Sequence, residues 1–117
     1  MLLETPYKIG DTVLVTLIRS CGHCVSCCSG KPTCCETRYD TVSGPLKTID
    51  GKPMEQGLAT GAFAEKVVVD QSQIQHIPEN ISMTSASLLA CGVITGIGAV
   101  TNTAKVTAGA TVAVIGA

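Results

Sequence analysis

Residues 21 to 36 read CGHCVSCCSGKPTCCE, six cysteines in sixteen positions of a chain whose seventh cysteine is Cys91. Cys21, Cys24 and Cys27 are spaced C-x2-C-x2-C, a rhythm in which backbone turns aim several thiolates at one point. A fourth thiolate comes from Cys34 or Cys35, with Gly30-Lys31-Pro32 supplying the turn that brings the chain back. Four thiolates at ~2.3 Å make a closed tetrahedral zinc site, with no position left for water or substrate, so such a site braces a loop and does no chemistry itself. Bacterial-type iron–sulfur runs open in the same way but need a fourth cysteine after three more residues, followed by proline. Here that position is Lys31, and Glu36 follows Cys35. A thioredoxin-like pair sits alone at a strand-to-helix junction, whereas this loop overlaps two such pairs. The odd cysteine count and the lack of a basic-then-apolar opening weigh against a disulfide framework. His23 lies inside the first C-x2-C and reads as an exposed loop histidine. Cys28 and Cys34 become spectators if the outer cysteines hold the metal.

The elements around this loop follow from periodicity. Lys8 to Asp11 supply a turn, and Thr12 to Leu17 alternate polar with β-branched or apolar residues, which predicts a strand leading into the cysteines. Gly44-Pro45, Asp50-Gly51 and Lys52-Pro53 punctuate a surface excursion between Asp40 and Gly61. Gly61 to Val69 reads as a second strand, and Ile74 to Ile77 as a shorter extended piece closed by Pro78. Ser82 or Thr84 caps a helix beginning near Ser85, with a second helical stretch from Ile94 to Thr103 after Gly92. Thr111 to Ile115 is a short apolar run of the kind buried in a parallel sheet.

Composition narrows the function classes. The 117 residues suffice for one domain with a modest core, and 45% hydrophobic against 15% charged residues marks a globular chain. A net charge of -1 without any run of Lys or Arg removes the electrostatic footprint of nucleic-acid binding. The apolar run Ala86 to Val100 falls short of the ~18 residues that span a membrane, so the expectation is a soluble, cytoplasmic protein with no membrane partner.

The cysteine motif Cys21-Gly22-His23-Cys24-Val25-Ser26-Cys27, with Gly30, Cys34 and Cys35 beyond it, closely resembles the structural-zinc lobe of zinc-dependent alcohol dehydrogenases of the medium-chain dehydrogenase/reductase superfamily. Gly10-Asp11-Thr12-Val13, Gly61-Ala62-Phe63-Ala64-Glu65 and Cys91-Gly92-Val93-Ile94-Thr95-Gly96 fall in that family's order, as does Val112-Ala113-Val114-Ile115-Gly116. The resemblance implies a fold: residues 1–92 as part of a β-rich GroES-like catalytic domain with the zinc lobe at 21–35. Residues 93–117 would be the opening helix and first strand of an α/β Rossmann domain. It implies a function too, the NAD(P)-dependent oxidation of alcohols to aldehydes or ketones, with a catalytic zinc as Lewis acid and hydride passing to NAD or NADP. A small-molecule alcohol or aldehyde would be the substrate, and the enzyme a homo-oligomer.

Residue roles carry over one at a time. Cys21, Cys24, Cys27 and Cys35 match the structural-zinc ligands. Cys91 matches the third catalytic-zinc ligand, although without the resemblance it reads as a core cysteine. Thr95 matches a nicotinamide contact, against the ordinary role of a helical threonine bonded to its own backbone. Phe63 matches a substrate-pocket aromatic, and Gly116 the first glycine of the dinucleotide fingerprint. The other two catalytic-zinc ligands have no counterpart in the chain, and His76, downstream in an extended segment, does not supply one. The expectation is therefore an internal stretch of a longer dehydrogenase, inactive by itself. A thiol-dependent formaldehyde dehydrogenase of the same superfamily is the enzyme alternative. A stand-alone zinc-binding interaction module is the alternative from another class.

Overall fold

The computed structural model describes residues 5–40 and 42–116. Strand β1, Val13–Val15, pairs antiparallel with β2, Ile74–His76, in the register Val13 to His76, Leu14 to Gln75 and Val15 to Ile74. Backbone bonds from Thr16 N to Gln73 O (2.8 Å) and from Ile77 N to Thr12 O (3.1 Å) prolong the ladder at both ends. The alternating segment expected over Thr12 to Leu17 is extended and paired from Thr12 to Thr16, with Leu17 in a bend, and Ile74 to Ile77 forms its expected extended piece.

Between the strands the chain makes two excursions. The first is the cysteine loop, with helix α1 at Val25–Cys28 and a single 3-10 turn at Pro32–Cys34. The second turns back at Thr48 to Lys52, where Gly51 N bonds Thr48 O at 2.9 Å and Lys47 bridges Pro53. Gly61 to Val69 does not form the expected strand. Its β-branched residues suit one, but its run lies outside the ladder, and a strand exists only where its amides find a partner.

Three buried groups hold the returning chain. Gln73 is 1% exposed and spans three segments: its Nε2 donates to Thr16 O and Ala59 O, and its Oε1 accepts from Asp70 N. Gln56 Nε2 donates to Thr60 O and Val68 O, and Thr60 is buried beside it. Leu58 and Ala59, between these amides, both adopt positive φ (54° and 55°), a strained conformation for residues with a Cβ.

Helix α2 runs unbroken over Met83–Thr103. Ser82 caps it by accepting from Ser85 N at 3.2 Å, as its residue type predicts. The expected interruption at Gly92 is absent; instead the helix widens into π turns at Leu89–Val93 and Ala99–Thr103. Its 21 residues exceed the apolar run seen in the sequence and are, by length and composition, enough to cross a membrane. The same length and composition serve a helix packed inside a larger protein. Ala86 is its buried residue, whereas Leu88, Ile94 and Ile97 are exposed.

Thr111 to Ile115 is not a strand in the structure, and Val112, Val114 and Ile115 are exposed. The apolar pattern is present but no neighbouring strand bonds it among the described residues. The radius of gyration, 17.4 Å, exceeds the ~13 Å of a closed chain of this length, which accounts for so many exposed apolar side chains.

Candidate metal centre

Cys21, Cys24, Cys27 and Cys35 bring their sulfur atoms within 4.8 Å of one another, and Cys21 Sγ lies 4.0 Å from Cys27 Sγ. Sulfurs bound at ~2.3 Å around one zinc ion stand about 3.8 Å apart, so the four donors are nearly in coordination positions. The local sequence explains this. Cys24 is the N-cap of α1 and accepts from Cys27 N, which puts Cys24 and Cys27 on either side of one helical turn. Gly22 (φ 76°) and Gly30 (φ 78°) make the left-handed bends that send Cys21 and Cys35 to the same side.

Backbone N–H groups also point at sulfur: Cys24 N to Cys21 Sγ at 3.3 Å, and Cys21 N to Cys35 Sγ at 3.4 Å. Such bonds favour the thiolate. Cys21 is pulled down to about 5, chiefly by the Thr37 side chain and then by backbone donation from His23. Backbone donation from Cys21 lowers Cys35 as well. Cys27 goes the other way, pushed up to about 12 by desolvation and by its bond with Cys24. One centre thus combines a thiolate at Cys21 with a thiol at Cys27.

Cys28 and Cys34 are exposed and outside the cluster. Of Cys34 and Cys35, Cys35 is the one whose sulfur joins the cluster. His23 is exposed, with Nδ1 2.7 Å from Cys21 O, and is not in the cluster either.

The remaining candidate residues divide. A cavity of about 960 Å³ lies between the β1–β2 ladder and α2, with mostly apolar walls that include Leu14, Ile74, Cys91, Ile94 and Thr95. Cys91 lies in the first π turn, exposed rather than in a core, and Thr95 follows one turn later. Phe63 does not join them: it is fully exposed and outside the cavity wall. Gly116 is exposed at φ 83° and is neither in the cysteine cluster nor in the cavity wall. His76 is in β2, with Nε2 3.6 Å from Asp11 Oδ2.

The alcohol dehydrogenase GroES-like domain matches residues 4–79, well over half of the chain and all of the cysteine loop. The chain belongs to this zinc alcohol dehydrogenase family. It is 38% identical over 117 residues to Alcohol dehydrogenase-like 7 of Arabidopsis thaliana, covering 92% of this chain and 30% of the plant protein. It is 37% identical over 119 residues to an S-(hydroxymethyl)glutathione dehydrogenase of Photobacterium damsela subsp. piscicida (96% and 32%). Alcohol dehydrogenase class-3 of Drosophila melanogaster is 36% identical (96% and 31%). The chain therefore spans about a third of the length of the relatives it matches.

Three residues next to the alcohol dehydrogenase metal loop carry no sequence motif of their own: Arg19, Tyr39 and Asp70. Tyr39 reaches Cys35, Arg19 stacks on Tyr39, and Asp70 binds Arg19. Asp70 and Gln73 form a capping box, D-x2-Q, the one local signal that could have marked this end of the network.

Proposed function

We propose that the chain forms the zinc-bearing part of an NAD(P)-dependent alcohol dehydrogenase that converts small alcohols to aldehydes or ketones, as a cytoplasmic homo-oligomer. The observation that carries this reading is the convergence of Cys21, Cys24, Cys27 and Cys35 inside the family match. The donor set fits zinc: four soft ligands at nearly tetrahedral separations, with N–H groups supporting the thiolates. Zinc there braces the loop against the β1–β2 ladder.

In the same reading residues 1–92 belong to the catalytic domain and 93–117 open a Rossmann domain, with Gly116 at its phosphate turn. Cys91 and Thr95 both line the cavity, where Cys91 would give a catalytic metal one thiolate and Thr95 would contact the nicotinamide. A catalytic zinc supplies Lewis-acid polarisation of the substrate oxygen. One thiol does not hold that ion, so residues 1–117 alone carry out no turnover. The exposure of Phe63 gives its substrate-pocket role no support within these residues.

A second reading, S-(hydroxymethyl)glutathione dehydrogenase activity, is favoured by relatives of that name in Photobacterium and Escherichia. The coding sequence on either side of these residues tests the proposal first. An upstream Cys and His pair and a downstream glycine-rich turn support a working dehydrogenase, and stop and start signals at both ends exclude it. Assay of the encoded protein with ethanol and with S-(hydroxymethyl)glutathione then separates the two substrate readings.

A further inference from the structure

The hydroxyl of Tyr39 lies 3.8 Å from Cys35 Sγ. A cysteine bound to a metal is a thiolate with no hydrogen to give, so in the loaded centre the phenol is the donor. Arg19 stacks on the same ring, its guanidinium carbon 3.9 Å from the centroid. Arg19 Nη2 also donates to Asp70 Oδ2 at 3.1 Å. Asp70 caps the turn Gln71–Gln73 that leads into β2, and Ser72 Oγ of that turn accepts from Ser20 N at 3.1 Å. A continuous line of contacts therefore runs from sulfur through Tyr39 and Arg19 to the strand body.

The electrostatics give the line a purpose. Four thiolates around a divalent ion leave a net charge of about -2 on the centre. An O–H donor at one sulfur, with a guanidinium stacked behind it, places compensating positive charge against that excess. The stack holds the phenol in place, and the Asp70 pair holds the guanidinium.

We infer that Tyr39, held by Arg19, is an outer-sphere positioning residue that sets the strength of the metal–Cys35 bond and couples metal binding to docking of the cysteine loop on β1–β2. The inference rests on the metal reading of the four cysteines. It differs from simple packing in one respect. A hydrogen bond to a ligating sulfur lowers the energy of its lone pairs and so raises the energy of sulfur-to-metal charge transfer, whereas a packing contact does not.

The test loads Co2+ into three forms of the 117-residue chain: unaltered, Tyr39→Phe, and biosynthetically labelled with fluorotyrosine, which keeps the ring's shape but is a stronger donor. Tyr7, the other tyrosine, donates to Ile74 O rather than to a cysteine sulfur. Tyr39→Phe is expected to shift the charge-transfer band to lower energy and to weaken Co2+ binding about tenfold, the lower end of outer-shell effects. Fluorotyrosine is expected to shift the band to higher energy, which decides the matter even if Tyr39→Phe does not fold. Band positions unchanged from the unaltered chain overturn the inference and leave the metal reading standing, and so does weaker binding without a band shift. Failure of the unaltered chain to bind Co2+ overturns both.

Discussion

The Nε2 of Gln73 donates to the carbonyl oxygen of Thr16 at 3.1 Å from a residue only 1% exposed. The same amide reaches Ala59 O and Asp70 N, so one side chain satisfies three backbone groups on three segments. Gln73→Met keeps the volume and leaves those groups unpaired. It is expected to cost about 2–4 kcal/mol, read as a lower urea midpoint of the zinc-loaded chain.

The cysteines divide by position. Cys21→Ser, Cys24→Ser, Cys27→Ser and Cys35→Ser are each expected to remove stoichiometric zinc from the purified chain, measured by elemental analysis. Cys28→Ser and Cys34→Ser retain it, because both thiols are exposed outside the cluster. Equal loss from Cys34→Ser and Cys35→Ser would reopen the choice of fourth ligand.

Zinc affinity is expected to rise with pH through neutrality. Cys21, at about 5, is already a thiolate at pH 7 and adds little further dependence. Cys27, at about 12, is a thiol there and must release its proton on binding. Competition with a chromophoric chelator between pH 6 and 9 checks the sign of the slope.

Asp70 gives a second pH dependence. Its carboxylate is held below the ordinary range first by backbone donation from Ser72 and, further down, by Arg19. A depressed folded value means that the stabilisation is complete above the unfolded value of about 3.9 and is lost as pH falls through the folded one. The stability difference between the unaltered chain and Asp70→Asn is expected to be constant near neutrality and to shrink below about pH 4. Urea titrations of both metal-free chains measure it.

Two backbone substitutions are expected to stabilise the chain, one by introducing a glycine and one by removing it. Ala59 has a φ of 55°, so Ala59→Gly is expected to stabilise by about 1 kcal/mol. Gly92 lies inside α2, and a Cβ there meets nothing within 4 Å. Gly92→Ala is expected to stabilise by about 0.5–1 kcal/mol. Thermal unfolding followed by far-ultraviolet circular dichroism reads both.

What could be read from the sequence was what depends on near neighbours. The metal loop spans residues 21 to 35, and its turns, its glycines and the cap at Ser82 are decided within a few positions. Strands were legible only where they found partners: Val13–Val15 pairs with Ile74–His76, while Gly61 to Val69 and the apolar run Thr111 to Ile115 pair with nothing among the described residues. Gly92 misled for a related reason, since its intrinsic cost is smaller than the gain from carrying one helix through both flanking apolar stretches. Arg19 and Tyr39 were not legible at all, and Gln73 only as the second half of the D-x2-Q cap. Their roles depend on contacts such as Gln73 to Thr16, 57 positions apart, which no local spacing encodes.

All four metal donors lie within fifteen consecutive residues. A ribosome adding about 5–20 residues per second completes such a stretch in roughly 1–3 seconds. Asp70 and β2 emerge later in the same synthesis. In the proposed zinc reading, the loop therefore has all four of its donors on the nascent chain before Asp70 and β2 are made.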